Sequence, residues 1–260
     1  MKKSKVSFSL FTVLVLVLVC ISVVFSGCKL SVDKEYKYNT EIITNEKAPV
    51  EGEADVESIT GYVEDKEQKF VTLPYEIKDT NLVVTSIGKY TGVYSEMNAS
   101  EDVEDILAII VENTSDKVVS FSSLTVQYTD EKTCSFSPTN IPAHQSALVF
   151  TNGEAIPYAD VEKFECIDSM AVMAKELPLL EGVVGIDFVD GQFIVTNLTS
   201  DDLGEVYIRY KNFTDGNTYL GGVTYSVMVP EVKGYETYKV DAPDYNEETS
   251  VIIAVENMLK

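Results

Sequence analysis

The same strand-and-turn pattern occurs twice in this 260-residue chain, and this repetition limits the folds that are open to it. The segment "IIVENTSDKVVSFSSLTVQYTD" begins at Ile109, and "FIVTNLTSDDLGEVYIRYKNFTDG" begins at Phe193. In each, an apolar run ends in Val-x-Asn, so that Asn113 corresponds to Asn197 at an offset of 84 residues. Because Asn tolerates turn geometry and bonds its own backbone, the pattern predicts a duplicated unit of strands. Coincidence between two β-rich halves is the alternative.

Later segments extend the repeat. "IPAHQSALVF" from Ile141 is aligned with "VPEVKGYETYKV" from Val229, and each predicts a Pro-led turn that enters a strand. "EKFECIDSMAV" and "ETSVIIAVENM" both predict a closing strand. In "FVDGQF", Asp190-Gly191 predicts a type I′ hairpin turn. Six or seven short strands in roughly 85 residues are typical of a small β-sandwich.

Local patterns predict further elements outside the repeat. "GYVEDKEQKFVTLPYEI" and "NLVVTSIGKY" favour strands, and the apolar run in "ILAIIVEN" favours a strand that is buried on both faces. "SEMNASEDVEDILA" favours a helix, because Ser95 or Ser100 could cap it and acidic residues follow in the first turn. "YADVEKF" favours a short helical turn.

The repeated layout resembles the Ig-like modules of bacterial surface lipoproteins, notably the FxLYD-type group. Those modules share a V-x-N-x-(T/S) strand end, followed by an aromatic-x-apolar-Tyr-Asp strand. Here "LTVQYTD" and "VYIRYKN" approximate the second motif, since Thr129 separates Tyr128 from Asp130. The resemblance implies a mainly β fold with two tandem small Ig-like β-sandwich modules, residues 58–178 and 179–260, at a cell surface. It implies no particular chemistry.

The N-terminal segment indicates a membrane anchor. A basic start is followed by a charge-free run from Val6 to Phe25 and then by Ser26-Gly27-Cys28. The run is long enough to span a bilayer, so a retained helix is one alternative and plain secretion is another. The ending resembles the lipobox of bacterial lipoproteins, although Phe25 stands where Leu is usual.

This second resemblance implies that residues 1–27 are a lipoprotein signal peptide and that Cys28 carries lipid, with acyl chains such as palmitate. The protein would then be held on the extracytoplasmic face of a bacterial cell membrane. Residues 28–57 are polar and acidic and show no sustained apolar period. We therefore expect them to form the lipidated Cys and a flexible stalk.

Charge limits the partners. The chain has 42 acidic and 20 basic residues, for a net charge of −22, and Arg209 is its only arginine. Such a field repels nucleic acid and anionic lipid, and the bidentate clamp that suits phosphate is nearly absent. We expect the membrane to be contacted through the N-terminal lipid, a protein or cell-wall partner, and no nucleic acid.

Catalytic and metal chemistry find little support in the composition. His144, the only histidine, lies in the turn "PAHQS", and no Gly-x-Ser-x-Gly is present. The acidic segments "TSDDLGE", "FTDGNTYLGG" and "DAPDYNEE" lack the spacing of an EF-hand loop. We therefore expect no enzyme, no catalytic residue, no metal and no cofactor. Cys134 and Cys166 could form a disulfide or remain two buried free thiols.

Tyrosine is abundant, with 15 Tyr against no Trp. Seven fall in the second repeat, and they favour either strand packing or an exposed aromatic face. The sequence thus predicts a non-catalytic surface lipoprotein that acts in adhesion, scaffolding or as an accessory binding subunit. The alternative is a module that binds a glycan or a cation through Tyr and carboxylates of the second repeat. An enzyme that uses carboxylates alone is a third hypothesis.

Overall fold

The computed structural model describes residues 49, 52, 54–96 and 101–258, and these form a mainly β protein. The predicted signal peptide, Cys28 and most of the predicted stalk lie outside the described residues. Within these described residues, two 3₁₀ turns, Val56–Ser58 and Tyr158–Asp160, accompany the strands. The strands are β1 (Tyr62–Glu64), β2 (Tyr75–Ile77), β3 (Leu82–Tyr94), β4 (Glu101–Asn113), β5 (Val118–Gln127), β6 (Thr133–Phe136), β7 (Thr139–Ile141), β8 (Ser146–Phe150), β9 (Glu165–Ala174), β10 (Val184–Val189), β11 (Gln192–Asn197), β12 (Glu205–Thr214), β13 (Thr218–Leu220), β14 (Tyr225–Val229), β15 (Thr237–Asp241) and β16 (Ser250–Met258).

The first half of the fold, residues 54–174, has two sheets with a shared core. Strands β1 and β2 both pair with β3, and the order continues through β4 to β8. The other sheet is centred on β5, which pairs with β6, β7 and β9. Leu107 and Ile109 of β4 and Leu124 and Val126 of β5 belong to one buried apolar cluster between the sheets. This sandwich-like packing buries the inner face of each strand, as alternation predicts.

Strand β4 is buried on both faces, which confirms the prediction made from "ILAIIVEN". Ile106, Ala108 and Ile110 point away from the inter-sheet core into a second apolar cluster. Ile59 and Tyr62, from the N-terminal segment and β1, belong to this second cluster. Ala54 and Val56 pack against it as well, so the packed part of the chain includes the last residues of the predicted stalk.

The second half, residues 184–258, repeats this construction. Strands β10, β11 and β15 form one sheet, while β12 pairs with β14 and β16. Phe193 and Val195 of β11 share a core with Val206 and Ile208 of β12. The predicted hairpin is confirmed: Val189 pairs with Gln192 across Asp190-Gly191, which have φ of 50° and 80°.

Strand registers match between the halves. In the first, β4 pairs Glu112 with Ser146 of β8; in the second, β11 pairs Thr196 with Thr237 of β15. Ser146 therefore corresponds to Thr237, and counting back, Ile141 corresponds to Val232. The alignment of Ile141 with Val229 was wrong by three residues, because the second half has a longer connection before this turn.

The helix predicted from "SEMNASEDVEDILA" is wrong for the part that the structure describes. Residues 101–108 lie in β4, which pairs with β3 on one side and β8 on the other. Ser caps and acidic residues are local signals, whereas burial of Ile106–Val111 on both faces is a tertiary effect that overrides them. The helical turn in "YADVEKF" is confirmed at Tyr158–Asp160.

The two halves are joined through one sheet. Strand β13 pairs with β12 on one edge and runs parallel to β8 on the other, with Thr218 opposite Ser146. Tyr219, Val251 and Ile253 from the second half lie in the inter-sheet core of the first. A nine-stranded sheet therefore runs through both halves. No helix in the described part of the chain has the length and apolarity to cross a membrane.

Candidate functional site

A break in one strand creates the most unusual polar region of the described structure. Strand β13 pairs with Phe213 and Thr214 of β12, and β14 resumes the same edge of β12 at Tyr210. The intervening residues, 221–224, leave the ladder and form a bulge that faces the first half. We call this bulge, together with Glu96 and Lys211, the junction. Such interruptions redirect a strand and are often found at functional regions.

Lys211 is the residue of β12 that contacts the bulge. Its side chain is fully buried, and its Nζ donates to the carbonyl oxygens of Gly221 at 3.5 Å, Gly222 at 3.3 Å and Val223 at 3.0 Å. An ammonium group has three N–H donors, so three carbonyls satisfy it fully. The buried amine therefore holds the bulge in place by bonding its backbone.

Glu96 supplies the opposing side, from the end of β3 in the first half. It is 2% exposed, and its Oε1 accepts hydrogen bonds from the backbone N–H of Gly222 at 2.6 Å and of Phe150 at 3.3 Å. Gly222 is thus bonded by an acidic side chain of the first half and by a basic side chain of the second. The backbone of this glycine is thus one of the points at which the two halves meet.

Further polar contacts surround the bulge. Thr139 Oγ1 donates to the Gly222 carbonyl and lies 3.0 Å from Thr224 Oγ1. Asn140 Nδ2 donates to Thr224 Oγ1 at 3.0 Å. Ser95 Oγ is buried and has no hydrogen-bond partner in the structure. The bulge is therefore held mainly by side chains of the first half, although its residues belong to the second.

Burial changes the acid–base properties of both ionisable groups. Loss of hydration raises the pKa of Glu96 to about 7, an effect that the N–H groups of Gly222 and Phe150 and the nearby Lys211 partly offset. Loss of hydration also lowers the pKa of Lys211 to about 7, opposed by Glu96. Both groups bond only backbone, so the arrangement is suited to fixing the chain rather than to transferring a proton to a ligand.

A glycine is required at the centre of the bulge. A Cβ added to Gly222 would lie 2.5 Å from the carbonyl oxygen of Ser137, and one added to Gly221, where φ is 72°, would lie 2.7 Å from Ser95 Oγ. These approaches leave no room for a side chain. The Gly221-Gly222 pair in "NTYLGG" therefore reflects close contact between the halves.

The sequence-predicted residues lie away from the junction. His144 is in a turn with φ of 55°, and its Nε2 is 2.9 Å from Asp116 Oδ1 at the surface. Within the residues that the structure describes, no three His, Cys, Asp or Glu side chains are arranged to hold a metal ion. A recess of about 490 Å³ at the far end of the first half is lined by Asp130, Glu131, Asp160 and Glu162, among others.

Cys134 and Cys166 are both free. Cys134 on β6 and Cys166 on β9 each lie opposite Val126, on different sides of β5. Strands two apart in a sheet are separated by roughly 9–10 Å, whereas a disulfide needs Cα atoms within about 7 Å. Of the two alternatives left open by the sequence, this placement favours separate thiols. Burial raises the pKa of Cys134 to about 12.

Most tyrosines of the second half serve packing. Tyr210 and Tyr225 stack with their ring centroids 5.3 Å apart, and Tyr245 lies edge-on to Tyr210 at 5.2 Å. Tyr219 is buried in the core of the first half. Tyr235, by contrast, is 67% exposed. The exposed aromatic face considered from composition is therefore replaced largely by an internal aromatic cluster.

An exposed apolar strip lies elsewhere, on the outer face of the sheet around β5. Phe121 and Val172 are paired across β5 and β9, and Met170 is two residues away on β9. Their exposed fractions are 40%, 50% and 52%. Among the described residues, none forms a second layer over this face comparable to the one that covers β4.

Comparison with known proteins adds no relative: no family model, curated protein or solved structure matches the chain.

Sequence reasoning missed the junction. Lys211 stands in the alternating segment "VYIRYKNF", where a lysine next to apolar and aromatic residues gives only a weak signal of burial. Glu96 follows β3 and looks like an ordinary acidic residue of a turn. The only local sign was the Gly221-Gly222 pair, which the sequence places between two strands.

Proposed function

We propose that this protein is a non-catalytic lipoprotein of the bacterial cell surface, built from two tandem Ig-like β-sandwich modules on a lipid anchor. The anchor is supported by the order of a basic start, a charge-free run and Ser26-Gly27-Cys28. Two or more acyl chains on one residue provide stable attachment, whereas a single chain binds marginally. The polar residues after Cys28 would hold the folded part away from the membrane.

The proposal of tandem modules is supported by matching hydrogen bonds at equivalent positions. Asn113 Nδ2 donates to the carbonyl of Lys117 at 2.7 Å and to that of Ile141 at 3.0 Å. Asn197 Nδ2 donates to the carbonyl of Asp201 at 2.7 Å and to that of Val232 at 3.2 Å. The same side chain thus ties the same two turns together in each half.

The strand partners also agree with an Ig-like order. Counted from β3 in the first half and from β10 in the second, the first, second and sixth strands form one sheet, while the third pairs with the fourth and the last in the other. β3, β4 and β8 correspond in this way to β10, β11 and β15, and β5 and β9 correspond to β12 and β16. Two facing sheets with this split are the arrangement of Ig-like sandwiches.

The observation that carries the functional proposal is the shared sheet at the junction. Because β13 pairs with both β8 and β12, the two modules form one continuous body rather than two independent domains joined by a linker. A stiff body on a lipid-anchored, flexible stalk suits adhesion, scaffolding or an accessory-subunit role, in which a binding face is held away from the membrane. The buried ionisable pair serves this body instead of an open site.

A protein or cell-wall partner remains our proposal for the contact that this body makes. The exposed strip of Phe121, Met170 and Val172 is a suitable place for such a contact, since apolar side chains grouped on one sheet face are uncommon on free surfaces. The glycan- or cation-binding alternative has less support, because most tyrosines of the second half pack internally.

Lipid labelling of the full chain, expressed in a bacterial host, tests the anchor. The wild-type chain should incorporate labelled fatty acid and lose residues 1–27, and Cys28→Ala should abolish both events. Cys20→Ala is a matched control, because Cys20 lies inside the apolar run and follows the bulky Leu18 and Val19. Normal processing and labelling of Cys28→Ala would show that the lipoprotein proposal is wrong.

Calorimetric titration distinguishes the two binding hypotheses. The full chain in detergent should show no saturable heat with Ca²⁺ or with a panel of surface oligosaccharides. Saturable binding that is lost when Tyr235 and neighbouring carboxylates are replaced would instead establish the small-ligand alternative.

A further inference from the structure

The junction contains two opposite ionisable groups that do not touch each other. Glu96 bonds the N–H of Gly222 and Lys211 bonds its carbonyl, but none of the ion pairs within the described residues joins Glu96 to Lys211. Each charge is therefore separated from the other by the bulge. Attraction between them offsets only part of the hydration that each loses.

Both groups keep most of their hydrogen bonds when they are neutral. A protonated Glu96 still has a carbonyl oxygen to accept from the N–H groups of Gly222 and Phe150, and a neutral Lys211 amine still has two N–H donors for the bulge carbonyls. Neutralisation therefore removes a cost of burial while it keeps the bonds of Glu96 and all but one of those of Lys211.

We propose that the junction is a pH-responsive clamp between the two halves, strengthened when Glu96 gains a proton or Lys211 loses one. This is independent of how the chain is anchored, because it depends only on groups inside the folded part. It would make the stiffness of the body, and so the presentation of any partner-binding face, dependent on the acidity at the cell surface.

The direction in which stability changes with pH follows from proton binding in the folded and unfolded states. The pKa of Glu96 rises from its ordinary value of 4.5 to about 7, so between these values the folded state binds more protons and stability falls as pH increases. The pKa of Lys211 falls from 10.5 to about 7, so above pH 7 the unfolded state binds more protons and stability increases with pH. The two effects meet in a minimum near pH 7.

The other titratable groups near the pair do not titrate in this range. Tyr94 on β3 and Tyr225 on β14 interact with Glu96, and burial raises the pKa of both phenols above their ordinary value of 10. Phe150, Ser137 and Thr139, residues of the first half that also contact the junction, have no side chain that ionises in this range. Changes between pH 5.5 and 8.5 at the junction can therefore be assigned to Glu96 and Lys211.

Hydrogen exchange of the full chain in detergent tests this proposal. The reporters are the amide protons of Gly222 and Phe150, which donate to Glu96. After correction for the intrinsic pH dependence of exchange, their protection should be lowest near pH 7. It should be roughly tenfold higher at pH 5.5 and at pH 8.5, since one pH unit of differential proton binding changes an opening equilibrium about tenfold.

Single substitutions test which of the two groups produces the increase in amide protection on each side of the pH minimum. Glu96→Gln should remove the increase in protection on the acid side, and Lys211→Met should remove the increase on the alkaline side. Lys239→Met is a control, because this lysine lies on β15 of the same half, outside the junction, and is only partly buried; it should leave both sides unchanged. An acid-side increase that persists in Glu96→Gln would overturn the proposal.

The wild-type profile decides the matter even if a variant fails to fold. A maximum of protection near pH 7, with losses on both sides, would mean that the two groups are held as a charged pair, and the proposal would be wrong. A flat profile would contradict it equally, because neither group would then titrate between the closed and open states.

Discussion

Strands β8 and β15 occupy the same position in their halves but differ in how they meet their surroundings. All five residues of β8 are buried, and the strand pairs with β4 on one edge and β13 on the other. Strand β15 pairs with β11, and within the described residues no second strand pairs with it. The equivalent sequences are "SALVF" and "TYKVD", so Leu148 corresponds to Lys239.

This difference lies in the edge that each strand presents to a further strand. The apolar edge of β8 accepts β13 from the following half, whereas Lys239 and Asp241 place charge on the edge of β15. Charged residues on an edge strand oppose the addition of further strands. The first half therefore receives a strand along β8, whereas β15 of the second half, which lies in a separate three-stranded sheet, carries charge on the corresponding edge.

Placing lysine at Leu148 and leucine at Lys239 tests this difference between β8 and β15, and the substitution at Leu148 should have the largest effect on stability. Leu148 is fully buried between Ile110 of β4 and Leu220 of β13. Leu148→Lys should lower the free energy of unfolding by about 4 kcal/mol or more, because it buries an unpaired charge in the shared sheet. Urea denaturation followed by far-UV circular dichroism measures the change.

The reciprocal exchange is the control. Lys239→Leu should change the free energy of unfolding by no more than about 0.5 kcal/mol, as for ordinary surface substitutions, while making the chain more prone to self-association through β15. Equal costs for the two substitutions would mean that β8 and β15 are not distinguished by their edges.

A second prediction concerns the buried asparagine that occupies the same position in both halves. Asn113→Ala and Asn197→Ala each remove a buried amide that bonds two turns. Each should lower the free energy of unfolding by about 2–3 kcal/mol, since the carbonyls left behind lose their donors in a buried setting. The two costs should agree within about 1 kcal/mol in urea denaturation.

Asn246→Ala provides a comparison at a surface turn. Asn246 is exposed and accepts from the N–H of Glu248 at 2.7 Å, so we expect a cost of about 0.5–1 kcal/mol. If only one of the two buried Asn substitutions exceeds this value, the matching hydrogen bonds do not have matching energetic roles.

The elements that could be predicted from sequence are those specified locally. Asp190-Gly191 sets its own turn, and Asn113 and Asn197 mark strand ends because their side chains bond the adjacent backbone. Alternation along β3 and β12 likewise reports which face is buried. The helix predicted across residues 95–108 was wrong for its described part, since the signals that favoured it were local while the burial of β4 is imposed by partners on both sides.

The junction could not be predicted because its parts are distant in sequence. Glu96 and Gly222 are bonded although 126 positions separate them. Nothing near Glu96 indicates that a bulge from the other half will cover it, and nothing near Lys211 indicates three carbonyl acceptors. A charged residue is expected at the surface unless a specific partner is known, and the partner of Glu96 is backbone from a turn that is distant in sequence.

The last prediction concerns the bulge itself, where the halves cease to be equivalent. Gly222→Ala should lower the free energy of unfolding by about 1–2 kcal/mol, because its Cβ would approach the backbone oxygen of Ser137 to 2.5 Å and the sheet must shift to relieve the contact. Urea denaturation provides the number, and exchange of the Phe150 amide reports whether Glu96 has moved.

Gly185→Ala is the matched substitution, because a Cβ there meets its nearest atom, in Leu198, at 3.6 Å. This is ordinary contact, so we expect a change within about 0.5 kcal/mol. If Gly222→Ala were as mild as Gly185→Ala, the bulge could move away from Ser137 at little cost. The halves would then be joined by the β8–β13 pairing and the shared core, and Glu96 and Lys211 would follow the bulge rather than hold it.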